Sequence, residues 1–167
     1  AICMGQECEG WEYNSEDNYQ RDRDNRVVDI KLVSSQPKHL FGKNTDWAVG
    51  IYSRDQDEDL LRQYTYNADD FSSQFDTSNR AVYGQLDAVI SPALTIIAGI
   101  RFENRKAAYS DSDTVNHGVD ENLWGGRAVL QYNLDATTMI YGLLSRGYKA
   151  GGVNSDSSLA AKDREFD

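Results

Sequence analysis

The chain has 167 residues, with 27 Asp and Glu against 17 Lys and Arg and a net charge of -10. Its mean hydropathy is -0.65. No run of 18 apolar residues occurs, which excludes a helical membrane span, and the negative charge argues against non-specific nucleic-acid binding. Charged residues at 26% and apolar ones at 40% are ordinary for a folded chain and argue against wholesale disorder. Ten Tyr, 3 Trp and 13 Gly beside only 2 Pro favour β structure with tight turns.

The amino-terminal end, Ala1-Ile2-Cys3-Met4, has no basic start and no long apolar core, so it is not a signal peptide. If the protein is exported, that signal is missing from this chain. Cys3 and Cys8 are the only cysteines. Four intervening residues is not a usual zinc spacing; a local disulfide and two free thiols both remain open. The acids are unevenly spread. Four polar stretches, 1–24, 55–80, 107–121 and 150–167, hold 22 of the 27 acids but 6 of the 17 basic residues. The segments between them carry a basic excess.

Those segments read as strands. Residues 26–34 alternate Val28, Ile30 and Leu32 against Asp29 and Lys31. Residues 46–54 place Trp47, Val49 and Ile51 on one face. In 81–90, Val82, Gly84, Leu86, Ala88 and Ile90 oppose Tyr83, Gln85 and Asp87. In 94–105, Leu94, Ile96, Ala98, Ile100 and Phe102 oppose Arg101, Glu103 and Arg105. In 123–134, Trp124, Gly126, Ala128, Leu130, Tyr132 and Leu134 oppose Arg127, Gln131 and Asn133. Residues 138–149 are apolar and β-prone, but Gly142 and Leu144 leave their facing undecided. A period of two over ten or more residues is a strand signal; a helix needs apolar positions three and four apart.

Connections alternate in length. Ser91-Pro92-Ala93 and Asp135-Ala136-Thr137 are short turns, whereas 55–80 and 107–121 read as long acidic loops. The connection 35–45 is of middling length and belongs with the short turns by counting. Short turns at one end and long loops at the other is the asymmetry of an outer-membrane barrel. Trp124 and Tyr132 share a face eight residues apart, which is about 27 Å along a strand. A tilt of about 40° reduces this to roughly 20 Å of height, against an apolar band of about 25 Å. Trp47, Phe102, Trp124, Tyr132 and Tyr141 are the aromatics expected at the membrane interface. Asp87, Arg101, Glu103, Arg105, Arg127 and Arg146 are expected on a lumen-facing charged wall, because an Arg or Lys facing lipid at mid-depth costs about 2–4 kcal/mol. Such a wall has two readings: a cross-strand ion-pair lattice, or a positive patch for an anionic ligand.

No catalytic constellation emerges. His39 sits in a short connection and His117 in an acidic loop, both read as solvated. The run Asp55 to Asp59 fails as an EF-hand because Leu60 and Tyr66 stand where Gly and Glu are required. Gly125-Gly126 and Gly151-Gly152 are not phosphate loops, since no Lys-Ser/Thr and no helix follow. No metal, no cofactor and no enzyme are expected.

The stretch NLWGGRAVLQYNLDATTMIYGLLSRGYKAGGVN over 122–154 resembles the barrel of TonB-dependent outer-membrane receptors. The element Ser145, Arg146, Gly147, Tyr148, Lys149, Ala150, Gly151, Gly152 is similar to a strand-ending motif of that family, with Val153 where Phe is frequent. NRAVYGQLDAVISPALTIIAGIRFENRKAAYS matches its strand, proline-containing turn, strand pattern, and VVDIKLVSS and DWAVGIY fit more weakly. The resemblance covers about 26–154. It implies an all-β, antiparallel up-and-down meander: an open curved sheet of about six strands from a transmembrane β-barrel. Barrels of that family have about 22 strands, so the whole of 1–167 is expected to be an internal part of the barrel domain, without plug or closing strand. It further implies outer-membrane lipid, a plug domain, the remaining barrel strands and, through the full receptor, the TonB complex as partners. The implied ligand is a ferric chelate such as an iron-siderophore, or a similar nutrient. Two other readings stand beside it: a small eight-stranded outer-membrane barrel with a structural or adhesive role, and a soluble secreted β-sandwich that binds a ligand.

Overall fold

The computed structural model describes residues 15–36, 38–40, 42–154, 159 and 165–166. Cys3 and Cys8 lie outside the described residues. The strands are β1 (Asp17–Val33), β2 (Lys38–Leu40), β3 (Lys43–Tyr64), β4 (Phe71–Ser91), β5 (Leu94–Asp111), β6 (Asn116–Asn133), β7 (Met139–Arg146), β8 (Gly152–Val153) and β9 (Glu165–Phe166). Six of them form one antiparallel meander in the order β1-β3-β4-β5-β6-β7, with β2 folded as a small hairpin on β3. β8 and β9 form a separate ladder. β1 and β7 are not paired with one another, so the sheet is open. The six expected strands are therefore the six of the meander.

The register divides the sheet cleanly. The rung Ile30, Ile51, Val82, Phe102, Trp124 runs from β1 to β6 on one face, and Leu32, Val49, Gly84, Ile100, Gly126, Arg146 runs beside it. Between those rungs lie Lys31, Gly50, Tyr83, Arg101 and Gly125, which point to the opposite face. The apolar face stays bare: Ile30 is 55% exposed, Phe102 50% and Leu144 78%. No second layer covers it among the described residues, which removes the sandwich reading. The few buried apolar side chains, Ala81, Ala107, Val115 and Val119, lie elsewhere, three of them on the opposite face or its continuation.

The long acidic loops are a correction. Residues 55–64 and 71–80 are strand, closed by a tip over 65–70; residues 107–111 and 116–121 are strand, closed by 112–115. β3 and β4 run 22 and 21 residues, β5 and β6 18 each. A barrel strand needs about 9–11 residues to cross a bilayer, so roughly half of each strand continues beyond the apolar belt. These halves were unreadable as strands because both faces are polar, so alternation of hydropathy vanishes while alternation of side-chain direction persists. The middling connection 35–45 contains the β2 hairpin, which turns at Gly42 in the left-handed region (φ +73°).

Candidate functional site

The polar face is built around Glu103, whose side chain is 9% exposed. Asn79 Nδ2 donates to its Oε1 at 2.6 Å. Arg101 Nε and Nη2 donate to Oε2 at 2.9 and 2.7 Å, and the Tyr148 hydroxyl donates to the same oxygen at 2.9 Å. The Arg101 guanidinium also stacks over Tyr52, 4.8 Å from the ring centroid. A second group lies one step further along. Arg105 Nη1 donates to Glu121 Oε2 at 3.1 Å and to the Gly151 carbonyl at 3.0 Å, and the Gly151 N–H donates to Glu121 Oε1 at 3.2 Å.

Both groups hold the same thing. After Arg146 the chain leaves the ladder, and residues 147–151 cross β6 on the polar face. Gly125 makes the crossing feasible. A Cβ there lies 2.9 Å from the Arg146 carbonyl oxygen and 3.0 Å from the Tyr148 ring. The family-like motif is thus a strap, pinned by Tyr148 to Arg101 and Glu103, and by Gly151 to Arg105 and Glu121. The charged wall is occupied largely by its own chain. Arg127 is looser: its Nη2 donates to Gln85 Oε1 at 2.8 Å, and Gln85 in turn donates to Asp87 at 3.0 Å.

Four expected wall residues, Arg101, Glu103, Arg105 and Arg127, share the polar face with Asp87. Arg146 does not. It stands directly opposite Gly126, on the apolar face, with its guanidinium carbon 3.7 Å from the centroid of the Trp124 ring. Tyr141 is the converse correction: it pairs with Gln131 and joins the polar face. The cause is the turn before β7. Asp135 Oδ1 accepts hydrogen bonds from the Thr137 and Thr138 N–H groups at 2.8 and 2.9 Å, which sets Ile140 opposite Tyr132. Even-numbered residues of β7 therefore continue the apolar face. Phe102 and Trp124 are direct cross-strand partners at one end of that face; Tyr132 faces Leu94 and Trp47 faces Leu86 toward the other.

Sequence reasoning missed Asn79, Glu121 and the role of Tyr148. Glu121 lies in β6 and not in a loop, in step with Leu123, Gly125 and Arg127 at intervals of two, and that alternation is its signal in the sequence. His117 likewise lies not in a loop but within β6, opposite Tyr109, and His39 falls in β2.

Beyond the belt the strands carry further ion pairs. Arg62 forks onto Asp17 with two bonds of 2.8 Å, and this partner holds the Asp17 carboxyl below the usual carboxylate range. Arg21 and Arg23 both reach Glu58, at 3.1 and 2.5 Å. On the reverse side the acidic run is split by strand alternation. Asp24, Asp57 and Asp76 form one rung of three carboxyls. Burial, then Asp57 and Asp59, pushes the Asp76 carboxyl up.

The family model described as TonB dependent receptor-like, beta-barrel matches residues 8–162. The chain therefore belongs to that family, whose members are receptors and transporters, not enzymes. Among curated proteins nothing matches. Among solved structures, the chain is similar to the ferric yersiniabactin uptake receptor FyuA from Yersinia pestis, at 18% identity and TM-score 0.71, over 84% of this chain and 23% of that one. It is also similar to the alcaligin outer-membrane receptor FauA from Bordetella pertussis, at 21% identity and TM-score 0.64, over 76% and 22%. The chain thus spans less than a quarter of the length of these receptors, and at this identity they establish the fold.

Proposed function

We propose that residues 1–167 are part of the barrel wall of a Gram-negative outer-membrane receptor that takes up an iron chelate or a similar nutrient. The observation that carries this reading is the bare apolar belt backed by an ion-paired face. An exposed apolar surface of this extent needs a cover, and outer-membrane lipid covers one face of a barrel while water fills the lumen on the other. In this reading a plug domain, the remaining strands and the TonB complex belong to the whole receptor. The polar face is its lumen wall, and Phe102, Trp124, Tyr132 and Trp47 mark its membrane rims.

Of the two roles for the wall, the lattice has the stronger support. Arg101 and Arg105 are each bound to a carboxylate and to the strap, which leaves little positive charge for a passing anion. Arg101→Gln with Arg127→Gln in the intact receptor tests this. Uptake of a radiolabelled ferric chelate should keep its Kd while the unfolding midpoint in detergent falls. A large loss of affinity at unchanged stability selects the anion-patch role instead. The receptor reading itself fails if a strain lacking the gene takes up every ferric chelate it is offered, at the parental rate.

A further inference from the structure

Arg146 is the last residue of β7, and it is a cation on the apolar face. Its guanidinium carbon lies over the Trp124 ring, 3.7 Å from the centroid. The other arginines among the described residues each reach a carboxylate or a side-chain amide. Arg146 reaches neither among those residues. Its neighbours on the same face are Gly126, Trp124 and Leu144, and none of these has a side chain that accepts a hydrogen bond.

Position gives this cation a meaning. Trp124 and its partner Phe102 end the apolar belt on the side of the long hairpins, which in a barrel is the outer side. An arginine there costs about 0–1 kcal/mol against lipid, far less than at mid-depth. Stacking on an indole satisfies the guanidinium plane and leaves its in-plane N–H groups open, and that fork matches two oxygens of a phosphate. Phosphate is the anion that lipid headgroups present at this depth.

We propose that Arg146 and Trp124 form a binding site for the phosphate of an outer-leaflet lipid headgroup. Trp124 orients the guanidinium and packs beside the first acyl carbons, and Arg146 supplies two donors to the phosphate oxygens. The site rests on the outer-membrane reading above.

The test uses the intact receptor that carries this chain, purified in detergent and titrated by native mass spectrometry with lipid A bearing both phosphates. Enzymatically dephosphorylated lipid A and inorganic phosphate are the comparison arms. Wild type should retain the phosphorylated lipid, and Arg146→Gln should weaken retention about tenfold, the worth of one charge-assisted contact. Trp124→Leu should weaken it less, and Arg146→Lys should restore part of the loss. Equal retention by wild type and Arg146→Gln overturns the proposal, as does equal retention of the dephosphorylated lipid by wild type, which needs no variant to fold. Displacement of the lipid by equimolar inorganic phosphate also overturns it, because the site is then one for a solution anion. Failure of the outer-membrane reading looks different: wild type stays soluble without detergent and shows no heat-modifiable migration on a gel.

Discussion

Glu103 concentrates more polar contacts than any other side chain of the wall described above. One carboxylate accepts from Asn79, Arg101 and Tyr148 while nearly all of its surface is covered. Glutamine in its place keeps a single acceptor oxygen, so either Asn79 or the Arg101–Tyr148 pair meets an N–H instead, and the charge that assists the Arg101 bonds is gone. Glu103→Gln in the intact receptor should therefore lower stability by about 1–3 kcal/mol, and Tyr148→Phe by about 1 kcal/mol. Denaturant titration of the detergent-solubilised protein measures both. A neutral Glu103→Gln contradicts the network. Gly125 makes a sharper case. Gly125→Ala should cost roughly 1–3 kcal/mol through overpacking, and Tyr148→Ala should not rescue it, because the nearer obstacle is the Arg146 carbonyl oxygen, which belongs to the backbone. The need for glycine here was visible in the sequence only as a family-like Gly-Gly. What a Cβ meets depends on a strap that arrives from residues more than twenty positions away, and no local pattern carries that information.

At the scale of the element, the long strands β1 and β3 to β6 each have a belt half and a projecting half, and the two are legible in the sequence to different degrees. Within the belt, hydropathy alternation gave Ile96, Ala98, Ile100 and Phe102 their face directly, since one side meets an apolar medium and the other does not. In the projecting halves Asp55, Asp57 and Asp59 alternate with Gln56 and Glu58, which differ in side but not in polarity. β7 was legible as a strand but not in its facing. Arg146 looked like a wall residue because charge is usually excluded from the lipid side, and only the Asp135 turn reveals its parity. The Asp135 carboxyl is held below the usual range chiefly by the Thr137 N–H. Asp135→Ala should loosen the β6–β7 register, seen as faster amide hydrogen exchange at Ile140 and Gly142 with little change in β4 or β5.

The Asp24, Asp57, Asp76 rung makes a pH-dependent prediction for the same elements. Like charges directly opposite one another oppose pairing. A carboxyl whose pKa rises on folding binds its proton more tightly in the folded state. Its stabilising effect is present at low pH, where it is protonated in both states, and is lost as pH rises from the ordinary value of 3.8 through the raised one. Asp76→Asn should therefore slow hydrogen exchange in the projecting halves of β3 and β4 at pH 7. The difference should disappear below pH 3.8. Asp17 has the opposite sign: Arg62 lowers its pKa, so its contribution is present above 3.8 and fades as pH falls through the lowered value. An Asp76→Asn gain that persists unchanged at low pH would mean that packing, not charge, explains it.

For the whole molecule the governing fact is that one continuous face, five strands wide at the Ile30 to Trp124 rung, has no protein against it among the described residues. A sheet in water with that face is an aggregation surface; the same sheet with lipid against it is stable. Charge substitution separates the two situations by depth. Ala98 stands mid-belt, four residues from Leu94 and four from Phe102 on the same face. Ala108 stands on the same side of β5 but beyond the belt, opposite Gly118. If lipid covers the belt, Ala98→Arg should cost about 2–4 kcal/mol and Ala108→Arg close to nothing. Heat-modifiable gel migration and urea titration of the intact receptor in lipid vesicles report both. A soluble module predicts another ordering, since both positions are solvent-exposed there and arginine at either is tolerated. Equal tolerance at 98 and 108 would therefore remove the membrane, and with it the lumen, the rims and the lipid site at Arg146, while leaving the family fold and the strap over Gly125 intact.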